Sequence, residues 1–183
     1  MTKARHPENL VWMRSVLERF EGPLTRYAAR VTGDVESARD VVQETFLRLC
    51  NQDRGAVDGH LAEWLFTVCR NRALDVRRKE SRMRPLDEAA VKTHEADDPL
   101  PEALAESNEA TSDVLRALAS LPQNQQEVIR LRFQNSLSYR EIASVTDLSV
   151  SNVGYLIHTA IKTIREKLGT GPGASSQAVG DLP

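Results

Sequence analysis

Residues 136–168 read SLSYREIASVTDLSVSNVGYLIHTAIKTIREKL, two helical patterns on either side of a tight turn. Ser138 and Glu141 have the spacing of a capping box: the serine hydroxyl accepts from the backbone three residues on, and the glutamate reaches back. That box predicts a helix over YREIASVT, 139–146. Asp147, Leu148 and Ser149 form the turn, and Asp at 147 visits the left-handed backbone region more readily than most residues. Val150, Val153, Ile157, Ile161, Ile164 and Leu168 then recur every three or four positions, which predicts the core face of a second helix. Ala143 is small at a place where two helices must approach closely. This is a helix-turn-helix pattern, whose second helix can enter the DNA major groove. An ordinary helical hairpin inside a bundle would share it.

Just before this pair, Val114, Leu115, Leu118 and Leu121 predict a short helix ended by Pro122, and Val128, Ile129, Leu131, Arg132 and Phe133 belong to the next. A module of four helices therefore starts near Glu109. The preceding stretch, 85–108, carries Pro85, Pro99 and Pro101 with a run of acids, and reads as a flexible acidic linker with at most a partial helix near 101–108. Three further helices lie towards the N-terminus. The first carries Leu10, Met13, Leu17, Phe20, Leu24, Tyr27, Ala28 and Val31, with Gly22-Pro23 predicting a break or kink. The second spans about 35–50, capped by Asp34, with Val35, Ala38, Val41, Val42, Thr45, Phe46 and Leu49 inward. After a polar loop at 51–60, the third spans about 61–84 with Leu61, Trp64, Leu65, Val68 and Val76 as its apolar stripe. The tail, 169–183, is rich in glycine and reads as disordered. The expected fold is all-α: two small helical domains, 1–84 and 109–168, joined by the linker.

The net charge of −2 over 183 residues conceals a partition. Residues 70–84, RNRALDVRRKESRMR, hold 7 basic and 2 acidic groups, whereas 85–113 set nine acids against Lys92. Residues 114–168 return to a net +3. Two basic segments around an acidic connector suggest two modules that meet a polyanion. Several classes are excluded. Aromatics at 5% argue against a sandwich or barrel. No run reaches the roughly 20 apolar residues that span a bilayer, and Met1 to Ser15 lacks the apolar centre of a signal peptide. Cys50 and Cys69 have no metal-site spacing and read as reduced thiols of a cytoplasmic protein, buried or nearly so. No nucleophile–base pair, phosphate-binding glycine loop or ligand cluster appears, so neither catalysis nor a cofactor is expected.

Among the basic residues of the third helix, Arg70, Arg77, Arg78 and, more loosely, Arg82 line one stripe suited to phosphates. Trp64 lies two turns earlier, and aromatic plus cation is the combination that grips unstacked bases. For Trp64 alone a core position is the better reading; for the arginines, nucleic acid is. On the second helix Asp40 and Glu44 are four apart and Gln43 shares their side. Such patches are common on solvated helices and by themselves indicate no function.

DVVQETFLRLC (40–50), EWLFTVCRNRALDVRRK (63–79), LASLPQNQQEVIRLRF (118–133) and the 136–168 segment, in this order and spacing, resemble the extracytoplasmic-function sigma factors of bacteria. The resemblance covers about 10–84 and 109–168. It implies that the first domain is sigma region two, with Asp40, Gln43, Glu44 and Phe46 docking on the β′ clamp of core RNA polymerase. It also implies that loop 51–60 captures a flipped base of the minus-ten element. Trp64, Arg70, Asn71, Arg77, Arg78 and Lys79 would contact that element, although Asp75 can instead pair with Arg78 or Lys79. The second domain would be sigma region four, packing on the β flap and reading the minus-thirty-five element through Arg140, Ser151, Asn152, Tyr155, His158 and Lys162. In such proteins the linker threads towards the RNA path, and an anti-sigma partner is a family expectation.

One departure stands out. Between Ser151 and Lys162 the chain reads SNVGYLIHTAIK, with Leu156 and Thr159 where relatives are frequently basic. Gly154 costs about 1 kcal/mol of helix stability against Ala. Two other readings remain open at this point: a stand-alone helix-turn-helix regulator, and a sigma mimic that titrates an anti-sigma factor.

Overall fold

Pro23 does not interrupt the first helix. In the computed structural model, which describes residues 7–83 and 109–169, α1 runs unbroken from Pro7 to Thr32. A proline inside a helix removes one backbone hydrogen bond and crowds the preceding turn. Here Val16 and Phe20 are buried before it, and Leu24, Tyr27 and Ala28 after it. Continuing the helix keeps both sets in one core, so packing overrides the local preference. Gly33 then takes φ 79, and its N–H closes on the Ala29 carbonyl at 2.8 Å. Asp34 caps α2 (Val35–Cys50) by accepting from the Ser37 N–H at 2.7 Å.

The described residues divide into two compact units, helical apart from their turns. In the first, α1 packs on α2 and α4, and α2 on α4. The loop expected at 51–60 is partly ordered: α3 (Arg54–Val57) and a 3-10 turn (Asp58–His60) lead into α4 (Leu61–Met83). Val57 is buried, and the Arg54 guanidinium lies over the Trp12 ring at 5.3 Å.

The core faces are rotated from the expected ones. Leu10 is exposed, and Val16 takes the inward position on α1. On α4 the buried residues are Leu65, Phe66, Cys69 and Ala73, while Leu61, Trp64, Val68 and Val76 are half-buried. The Phe66 ring meets Tyr27 edge-on at 5.4 Å, joining α4 to α1. The cysteines differ as well. Cys69 is buried, and burial pushes its thiol up to about 12. Cys50, at the end of α2, is exposed, which corrects the expectation for it.

The second unit comprises α5 (Glu109–Ala119), α6 (Gln123–Phe133), α7 (Tyr139–Thr146) and α8 (Val150–Lys167). Pro122 occupies the position just before α6, where a missing N–H does no harm. The Gln126 side-chain amide donates to the Ala119 and Leu121 carbonyls at 2.9 and 2.8 Å, satisfying the end of α5. Lys167 donates to the Ser120 hydroxyl at 2.5 Å, tying the end of α8 to α5. Leu118, Leu121, Val128, Leu131, Leu137, Ile142, Val153 and Ile157 are buried. Val150 is exposed instead of inward, and Val114 and Phe133 are exposed as well. Arg84, the acidic linker at 85–108 and the tail beyond Gly169 lie outside the described residues.

Candidate nucleic-acid interface

α4 is one helix in backbone but divides into two halves by burial. Its first half carries the buried residues up to Ala73; from Leu74 to Arg82 none is buried. Arg77, Arg78, Lys79 and Arg82 are exposed there, and basic groups at this end also complement the helix dipole. Asp75 pairs with Arg78 at 3.4 Å, both largely exposed, and Glu80 accepts from the Ser37 hydroxyl at 3.3 Å on α2. Asn71 is exposed on the same helix, whereas Arg70 and Trp64 are half-buried. The cations, not the indole, form the accessible part of this surface.

On α2 the expected patch separates into two kinds of residue. Asp40 and Gln43 are exposed. Glu44 is half-buried, and it accepts from Arg48 Nη2 at 2.7 Å through Oε1 and from Arg72 Nε at 2.5 Å through Oε2. Partial burial pushes its carboxyl up, but hydrogen bonds and charge from Arg48 and Arg72 outweigh this and hold it below the ordinary carboxylate value. Phe46 is 7% exposed, on the face of Val42, Thr45 and Leu49 where the periodicity placed it, so its ring belongs to the core and not to the exposed patch. Beside the expected patch α2 presents an apolar residue, Leu47, 58% exposed, one turn beyond Gln43 on the outer stripe.

The helix-turn-helix is locally determined. Ser138 accepts from the Glu141 N–H at 3.2 Å, and the Glu141 carboxylate accepts from the Ser138 N–H at 2.7 Å. Asp147 has φ 58 and ψ 39, and its N–H donates to the Ala143 carbonyl, as does that of Leu148. Ser149 caps α8 by accepting from the Asn152 N–H at 3.1 Å. On α8, Val153, Leu156, Ile157 and Ala160 are buried; Ser151, Asn152, Tyr155, His158 and Lys162 are exposed along one stripe. Lys162 reaches Glu166 at 3.9 Å. Arg140 is exposed on the first turn of α7. Leu156 thus serves the core, and the outward stripe of α8 carries Lys162 and, one turn on, Arg165.

Gly154 has a nearby ring for company. A Cβ built there would lie 3.7 Å from Tyr139 Cε2, an ordinary van der Waals distance, and the Arg132 guanidinium covers that ring at 5.6 Å. Gly154→Ala should therefore fit and stabilise α8 by about 0.5–1 kcal/mol through helix propensity. Slower hydrogen exchange of α8 amides would register this; faster exchange would mean that the tyrosine cannot accept the methyl.

Sequence reasoning passed over Leu47, Arg72 and the Trp12–Arg54 contact. Leu47 lies off the apolar face of α2, and the periodicity that marks that face gives no role to a lone apolar residue facing out. Arg72 and Arg54 find partners far away in sequence, which no local spacing signals.

Two family models match the chain: Sigma-70 region 2 over residues 16–83 and Sigma-70, region 4 over residues 111–164. The ECF RNA polymerase sigma factor SigL of Mycobacterium tuberculosis is 44% identical over 68 residues, 36% of this chain, and the match spans only 38% of that relative's length. The ECF RNA polymerase sigma factor EcfG of Rhodopseudomonas palustris is 31% identical over 139 residues, 75% of this chain and 74% of the relative. The ECF RNA polymerase sigma factor SigW of Bacillus subtilis is 26% identical over 162 residues, 84% and 87% of the two chains.

Proposed function

This chain belongs to the ECF RNA polymerase sigma factors of the sigma-70 family, and from that premise we propose that it directs core polymerase to a set of promoters and helps open them. The observation that carries the reading is α4. Its inner half builds the core of the first unit, while its outer half holds Arg77, Arg78, Lys79 and Arg82 in solvent. A regulator that used its first unit only to sense a signal would have no need of that cationic surface.

In this mechanism α2 docks on the β′ clamp through Asp40, Gln43, Glu44 and Leu47. Asn71 and the α4 cations then follow the minus-ten strand, with the turn at 51–60 taking an unstacked base. Unpairing a base costs a few kcal/mol. Phosphate contacts along α4 offset that cost, because neutralising phosphates releases counterions. The second unit packs on the β flap and holds duplex upstream, with α8 in the major groove and Ser151, Asn152, Tyr155, His158 and Lys162 along its outward face. With Lys162 the one lysine or arginine between Ser151 and Lys162, α8 should bind DNA weakly alone and depend on the polymerase for its grip. The protein performs no covalent chemistry, and it works in the cytoplasm, where polymerase and promoters are. No helix among the described residues is long and apolar enough to cross a membrane.

Run-off transcription with core polymerase on a library of upstream regions tests the reading. The protein should yield discrete start sites, and Gln43→Ala with Glu44→Ala should weaken polymerase binding about tenfold, the equivalent of two modest polar contacts. A protein that shifted promoter DNA without polymerase and supported no initiation would be a stand-alone regulator. One that bound an anti-sigma factor yet failed in transcription would be a mimic.

A further inference from the structure

Among the basic residues of 70–84, Arg72 behaves unlike the outer cations. Its guanidinium turns across to α2, and its Nε donates to Glu44 Oε2 at 2.5 Å, 28 residues away in sequence. The other oxygen of the same carboxylate takes Arg48 Nη2 at 2.7 Å from one turn along α2. Glu44 is thus held by two donors from two helices, while Asp40 and Gln43 on the same helix stand exposed.

We propose that Arg72 is a positioning residue for polymerase docking: from α4 it fixes the Glu44 carboxylate at the angle in which α2 presents it to the clamp. The inference rests on the docking role read for α2 above. Arg48 alone shares the helix of Glu44 and would leave its side chain swinging along the α2 axis. A donor from a second helix removes that freedom. A carboxylate offers about four lone-pair directions. Two are taken here, and the partly exposed carboxylate can still accept from a cationic or amide donor arriving from outside. Ordering the side chain before the partner arrives removes that cost from binding, a gain of about fivefold in affinity. The triad is between one-third and about one-half exposed, so its own contribution to stability is small.

The test is a cycle of Arg72→Gln, Glu44→Gln and both together, each titrated into fluorophore-labelled core RNA polymerase. Arg72→Gln should weaken binding about fivefold, Glu44→Gln should weaken it at least as much, and the double variant should match Glu44→Gln alone. Arg72→Lys, which keeps a cation within reach of the carboxylate, should recover most of the loss. A purely structural role for Arg72 would instead lower affinity equally in both backgrounds, and that additivity would overturn the proposal. So would wild-type affinity for Arg72→Gln beside a weakened Glu44→Gln; this outcome leaves the docking reading intact. Wild-type affinity for Glu44→Gln would overturn both.

Discussion

Replacing Arg77 and Arg78 together with Ala should cut open-complex formation by about 100-fold, taking roughly tenfold for each lost charged contact to phosphate. The effect should be one of binding and not of folding. Both residues are exposed, in the half of α4 that has no buried residue. The pair broken in the process, Arg78 with Asp75 at 3.4 Å, is largely solvated and worth little. Salt makes the prediction sharper. Losing two phosphate contacts should flatten the dependence of log affinity on log salt by about 1.5. Permanganate reactivity of the melted strand, followed across salt concentrations, reads both quantities. Footprints as strong as those of the parent at every concentration would show that these arginines do not touch the opened strand.

Phe66→Ala should have the largest effect on stability, roughly 3–5 kcal/mol in the first unit. The ring is 1% exposed, and its edge-on contact with Tyr27 ties α4 to α1, so no side chain can swing in to fill the gap. For a unit of this size, total stability lies near the lower part of the usual range of about 5–15 kcal/mol, and the melting temperature should fall by more than about 12 °C. Trp12 and Trp64 both lie in this unit, so tryptophan fluorescence follows its unfolding separately from the second unit. A drop of only a degree or two would mean that the core collapses around the deletion.

Where the controlling interactions are local, sequence and structure agree. The Ser138–Glu141 box, the left-handed Asp147 and the Asp34 cap each depend on residues within a few positions of one another, and each is present as expected. The rotational phase of the longer helices is another matter. Val16, Phe66, Cys69 and Ala73 face inward because of what α1, α2 and α4 present to one another, and a periodicity read on one helix is uncertain by about one residue. Pro23 was misleading for a related reason: the core on either side of it outweighs its local preference. In the candidate site, the exposure of the outward stripe of α8 and of the α4 cations was legible because charge and polarity mark it. Arg72 was not, because its partner lies on another helix.

The turn between α7 and α8 bears on how such a chain can change over evolutionary time. Ser138, Glu141, Ala143, Asp147 and Ser149 set the aim of α8 through their own short-range bonds and close packing. Ser151, Asn152, Tyr155 and His158 stand outside that arrangement, exposed on the far side of the helix. Mutations at the latter positions leave the scaffold intact at almost no thermodynamic penalty, so under the function proposed above a duplicated copy would acquire a new regulon without first having to rebuild its fold.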